Sequence, residues 1–354
     1  MTALAVSPAA SKDSAGRRPG PRWLLRLHWP ALYAWTGLVV VLAAVLGWLW
    51  GPLTDSAVEA WRQYRTCPDL LPCQYDQDAI VRYKSVYMYT TGALTALPFL
   101  VAAWAGASLF GRELEHGTAQ LAWTQNVSPT RWLATKLAVP TVLVAAGTGL
   151  LVALHHLMWS AGDGRIDTAK TWTDELTLHT NGTTTVAFAL IGVAGGAFAG
   201  VLLRRTLPAL MLAFGLVAAA RVLTYLVMPS MWPAVTRVTS LAEGYRGSGL
   251  KVDSGLVTAT GAHIADPGCG PTSAVPDCAE VYARLDATGF YTRYHPESHY
   301  WPLQATTTAA LLAVAAALTV ATFVMLRRTT ATRPGATRPS APESAPESAP
   351  ESVV

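Results

Sequence analysis

The sequence predicts an all-α polytopic membrane protein with six transmembrane helices, an N-terminal interfacial helix and a large external loop between helices five and six. Three observations carry that class. Hydrophobic residues make up 51% of the 354 positions and charged residues only 14%, a balance outside that of soluble domains. Uninterrupted apolar runs of about twenty residues, the length that crosses a bilayer, recur at roughly 31–50, 88–110, 134–158, 184–203, 207–228 and 303–326. Basic residues are shared unevenly among the connections between those runs.

Residues 1–20 are small, polar and rich in Pro, Gly and Ser, with no apolar period, and read as a disordered cytoplasmic leader. Arg17-Arg18 does not make a twin-arginine export signal: Pro19-Gly20-Pro21 follows, the next apolar run is too long for a signal core, and no small-residue cleavage site ends it. Across Pro21–Pro30, Trp23, Leu24, Leu27 and Trp29 alternate with Arg22, Arg26 and His28, which suits a helix lying at the headgroup level as well as it suits ordinary flanking charge.

An even number of spans places both termini on one side. Fourteen basic residues (Lys12, Arg17, Arg18, Arg22, Arg26, Arg112, Arg131, Lys136, Arg204, Arg205, Arg327, Arg328, Arg333 and Arg338) fall on that side, against six (Arg62, Arg65, Arg82, Lys84, Arg165 and Lys170) on the two shorter opposite loops. The positive-inside rule therefore puts both ends in the cytoplasm, in the cytoplasmic membrane. The segment 229–302 is longer than the roughly sixty residues over which the rule counts and is assigned outside.

All four cysteines, Cys67, Cys73, Cys269 and Cys278, lie in loops placed outside, where oxidising surroundings favour disulfides. The local pairs Cys67–Cys73 and Cys269–Cys278 are the simplest of three connectivities; the spacings are too wide for a zinc C-x2-C motif. His155 and His156, near the outer end of the third run, are adjacent and project about 100° apart on a helix, so interfacial placement suits them better than metal ligation. In the fourth run Gly192, Gly196 and Gly200 repeat every fourth residue and make a close-packing face, within one subunit or at a dimer seam. Arg221 in the fifth run either snorkels to the outer surface or lines a translocation path. From Thr329 to residue 354 the chain turns to Thr, Arg and Pro and ends in repeated Ala-Pro-Glu-Ser, a disordered cytoplasmic tail.

Between the second and third runs lies the polar stretch Phe110–Lys136. Leu114, Thr118, Leu121 and Ala122 give a short helix one weakly apolar face. Ser128-Pro129 then reads as an N-cap with proline at the first helical position. Placement gives this segment, 111–130, a mechanical role: it is the one substantial polar connection on its side, since Arg204-Arg205 is a tight turn. Glu113 and Glu115 offer acceptors for basic groups on a partner, and Leu114, Leu121 and Trp123 an apolar contact.

Glu113-Leu114-Glu115-His116-Gly117-Thr118 and Ser128-Pro129-Thr130-Arg131-Trp132, with Lys136 following, resemble the permease subunits of ATP-binding-cassette exporters of the type-two class. The aromatic approach to the last run, Tyr294-His295-Pro296-Glu297-Ser298-His299-Tyr300-Trp301-Pro302-Leu303-Gln304, resembles them too. The resemblance implies a six-helix domain over 21–328 whose segment carrying Glu113, Leu114, Glu115, Gly117, Thr118, Leu121 and Trp123 docks on a separate ATPase. It further implies a homodimer or a heterodimer with a similar permease, surrounded by membrane lipid.

The chain has no G-x-x-x-x-G-K-[ST] loop, no H-E-x-x-H and no G-x-S-x-G. ATP and magnesium are thus expected on the partner, and no cofactor, metal or nucleic acid on this chain. A membrane-embedded enzyme would need His155, His156 and Arg221 to converge with external carboxylates; a non-ABC transporter or scaffold component is the other open class.

Overall fold

The computed structural model describes residues 29–67, 74–124, 128–167, 169–268 and 278–331. Helix α1 (Trp29–Trp48) runs through a π-helical turn, Leu49–Leu53, into α2 (Thr54–Arg65). Pro52 sits in that turn; proline lacks an N–H and crowds the preceding carbonyl, and the wider turn absorbs both effects. The Asp76 side chain accepts the Ala79 N–H at 3.0 Å and caps α3 (Gln77–Trp104). A second π segment, Ala105–Gly111, carries α3 into α4 (Arg112–Glu115); α5 (Thr118–Thr124) and α6 (Pro129–Gly162) follow. Then come α7 (Glu175–Thr180), α8 (Thr184–Leu203) and α9 (Thr206–Val227), the strands β1 (Val235–Ser240), β2 (Leu250–Thr258) and β3 (His263–Ile264), α10 (Cys278–Arg284), β4 (Ala287–His295) and α11 (Tyr300–Ala331).

Among the described residues six helical units are long and apolar enough to cross a membrane: Pro30–Arg65, Gln77–Glu115, Pro129–Gly162, Thr184–Leu203, Thr206–Ser230 and Glu297–Thr330. They coincide with the six apolar runs, and several extend past them. Much of the stretch expected as the first external loop is helix, α2 and the start of α3. The last helix continues to Ala331, so the expected tail does not begin at 329. The leader, residues 21–28 of the expected interfacial helix, Cys73, Cys269 and the tail beyond 331 lie outside the described residues.

The bundle is built around α8, which packs against α3, α6, α9 and α11. Gly192, Gly196 and Gly200 face α3 and its π segment. A Cβ at Gly192 would lie 2.8 Å from the Pro98 carbonyl oxygen, one at Gly196 would meet Ala105, and one at Gly200 would meet Phe110. The glycine face is thus occupied within this chain, where backbones approach as closely as they do because the side chain is missing. Phe188, Ile191 and Ala194 of α8 form a core with Ala209, Ala213 and Val217 of α9 and Leu311 of α11.

The segment between α9 and α11 is a folded unit, which corrects the all-α expectation. Its strands form an antiparallel sheet in the order β1-β4-β2-β3, with Val235 opposite Tyr294 and Leu250 opposite His295. The physical reason is composition: β4 (Ala287–His295) is rich in Thr, Tyr and Phe, residues that fit a pleated, half-buried surface. Tyr291 donates to Asp253 at 3.0 Å and stacks on His263 at 4.0 Å, while Phe290 packs against Tyr245 at 4.3 Å. His295, fully buried, joins sheet to bundle: its Nε2 donates to the Pro229 carbonyl at 2.9 Å and its Nδ1 lies 3.2 Å from that of His299.

Candidate functional site

The near end of the bundle, where α4 and α5 connect two spans, gathers most of the residues singled out above. Gly117 adopts φ +71, a left-handed conformation that a side chain would strain, and this breaks the expected single helix into α4 and α5. Ser128 caps α6 as expected, its hydroxyl accepting the Arg131 N–H at 3.3 Å, with Pro129 in the first turn.

Both carboxylates of α4 are engaged within the chain. Glu113 pairs with the Lys136 ammonium, whose side chain is only 2% exposed against 20% for Glu113. Lys136 also donates to the Leu109 carbonyl in the π segment at 3.1 Å and lies 5.2 Å from the centre of the Trp132 ring. Glu115 turns to the other neighbour: Thr206, the first residue of α9, donates its N–H to the carboxylate at 2.8 Å and its hydroxyl to the same oxygen. A carboxylate at a helix N-terminus satisfies an orphan donor and complements the helix dipole. Glu113 and Glu115 therefore brace the segment against α6 and α9. Lys136, counted from the sequence among the basic residues of the cytoplasmic side, is a buried ion-pair partner.

An aromatic corner holds the rest. Trp132 packs edge-on against Phe110 at 6.2 Å and against Trp123 at 5.7 Å, and Ala119 is 1% exposed. Trp123 leaves its indole N–H without a partner. Leu114, Gln120, Trp123, Pro129, Arg204 and Thr329 line an open cleft of about 390 Å³ beside it. Thr118 and Gln120 face outward.

The family model described as ABC-2 membrane transporter related matches residues 36–228. The chain belongs to that family. The match runs from within α1 to the end of α9, so it includes α4, α5 and their ties to α6 and α9 and stops short of the sheet and α11. Comparison with curated proteins and with solved structures found no match. The chain is thus a permease component of an ABC-2-type transporter, a multi-span membrane protein whose family works generally with an ATPase subunit.

At the far end of this ABC-2 chain, much of the expected loop 159–183 is buried. The Asp174 carboxylate accepts the Thr177 N–H at 3.2 Å and caps α7, whose Thr177, Leu178, His179 and Thr180 are all buried. His155 is fully buried against protein: it accepts from the Thr91 hydroxyl at 2.9 Å and donates to Asn181 Oδ1. His156 stacks on Tyr300. Arg221 lies over the Phe188 ring at 5.3 Å, against the bundle, and does not meet the two histidines. Among the described residues no three His, Cys, Asp or Glu side chains are grouped to hold a metal.

Cys67 is disulfide-bonded. Cys278, the first residue of α10, carries a free thiol; Cys73 and Cys269, the other halves of the two expected links, lie outside the described residues. The buried ion pair and the far-end hairpin were the functional features missed from sequence. A lysine at the start of an apolar run, and the polar cluster Thr177-Leu178-His179-Thr180-Asn181, were the available signals.

Proposed function

We propose that this chain is the transmembrane subunit of an ABC exporter and that α4 and α5, over 111–130, dock on a separate cytoplasmic ATPase that carries ATP and magnesium. The observation that carries this reading is the continuity of the segment with the spans. It follows α3 through the π segment and is tied to α6 by the Glu113–Lys136 ion pair, so a push on it is a push on two membrane helices. The docking surface consists of the outward-facing Thr118 and Gln120 with Leu114 and Trp123 at the cleft, while Glu113 and Glu115 hold the segment to α6 and α9. With one such segment per chain, two copies, or one copy with a similar permease, engage the paired ATPases of such engines. Both termini and the near end are cytoplasmic, and the sheet lies outside.

The test is purification of the tagged chain from its native membrane, alone and as a Thr118→Arg/Gln120→Arg variant. The expected result is co-purification of an ATPase with a phosphate-binding loop, falling at least tenfold in the variant while yield and melting temperature hold. Undiminished co-purification in the variant, or none with the unaltered chain, would count against the reading.

A further inference from the structure

We propose that Lys136 is a positioning residue that makes α6 follow the docked segment, and that Glu115 does the same for α9. The inference rests on the docking reading above and concerns what happens after docking. Residues i and i+2 of a helix project about 200° apart, so one short helix reaches neighbours on opposite sides. In α4 those residues are Glu113, which pairs with Lys136 of α6, and Glu115, which accepts from Thr206 of α9. Lys136 draws in a third element through the Leu109 carbonyl at 3.1 Å, so the π segment, α4 and α6 converge on one ammonium.

The Lys136 tie is suited to carrying motion because its side chain is shielded from water, and in low dielectric a hydrogen-bonded ion pair is held firmly. The Glu115 tie is exposed and works through two bonds from Thr206 to one carboxylate oxygen. On either side of α4 the backbone is irregular, with the Ala105–Gly111 π segment before it and the left-handed Gly117 after it. Side ties keep a four-residue helix between such joints in step with its neighbours. With them, a displacement of α4 reaches α6 and α9 together.

The experiment is hydrogen–deuterium exchange on the chain purified with its ATPase, nucleotide-free and trapped with ATP and vanadate. Lys136→Met removes the buried charge rather than its partner, which avoids leaving an unpaired buried ammonium. Glu115→Ala removes the second tie, and the Glu113→Lys/Lys136→Glu exchange restores the first with reversed polarity. The unaltered complex should show protection of 112–124 by the ATPase and a nucleotide-dependent exchange change in the first turns of α6 and α9. In Lys136→Met the α6 change should fall at least threefold, in Glu115→Ala the α9 change, with 112–124 still protected and the sheet unaltered. The charge exchange should recover the α6 response. Full nucleotide responses in both single variants, or no recovery in the exchanged pair, would overturn the proposal. Absence of ATPase protection at 112–124 in the unaltered complex would overturn the docking reading itself.

Discussion

Gln304 of α11 donates from Nε2 to the Leu178 carbonyl of α7 at 2.5 Å, and its Oε1 faces the Thr184 N–H at the start of α8 at 3.4 Å. One fully buried amide thus serves both arms of the far-end hairpin, α7 and α8, from 126 and 120 residues away in sequence. Gln304→Leu leaves the Leu178 carbonyl buried and unpaired, a loss of about 1–3 kcal/mol. The expected outcome is a lower melting temperature in detergent and faster hydrogen exchange over 175–184; unchanged exchange there would refute the pinning role.

Acid should loosen the same hairpin. Burial, reinforced by the Arg221 charge, pushes the His179 imidazole down to about 3. With the folded value below the unfolded one near 6.5, the unfolded chain binds more protons between those values, so stability falls as pH drops from about 6.5 toward 3. His179→Gln should flatten the dependence of melting temperature on pH between 7 and 5, and an equally steep profile in that variant would contradict the assignment.

Glycines of two kinds should respond differently to a methyl group. A Cβ at Gly196 meets Ala105 and the Gly106 amide, whereas one at Gly149 of α6 meets nothing within 4 Å. Gly196→Ala is expected to cost about 1–3 kcal/mol through overpacking. Gly149→Ala should be nearly neutral. Equal melting temperatures for the two variants would show that α8 and α3 are less closely packed than described.

Cysteine labelling reads both redox state and sidedness. An impermeant maleimide on intact cells should label Cys278 without reduction, and the signal should vanish in Cys278→Ser, while Cys67 should label only after reduction. Labelling of Cys278 only after the membrane is opened would place the sheet on the cytoplasmic side.

The spans were legible because a bilayer demands about twenty apolar residues, and that demand leaves an uninterrupted mark. The Ser128 cap was legible for a similar reason: capping is local, and serine before proline is its signature. What escaped was everything decided by distant partners. Lys136 looks the same in sequence whether it faces water or Glu113, and α7 reads as loop because its burial depends on Gln304. The strand-forming composition of β4 was present and could have found the sheet.

The π segment Ala105–Gly111 has a consequence for how this chain tolerates length changes. A π turn holds more residues than an α turn, and such segments sit inside otherwise α-helical spans. Adding one more residue there, where the helix is already widened, would rotate everything after it by about 100°. Glu113 would then leave Lys136, and Glu115 would leave the head of α9. The span itself would only gain one residue of length. Insertions across 105–111 are therefore a category of change to which hydropathy is blind and the near end is acutely sensitive.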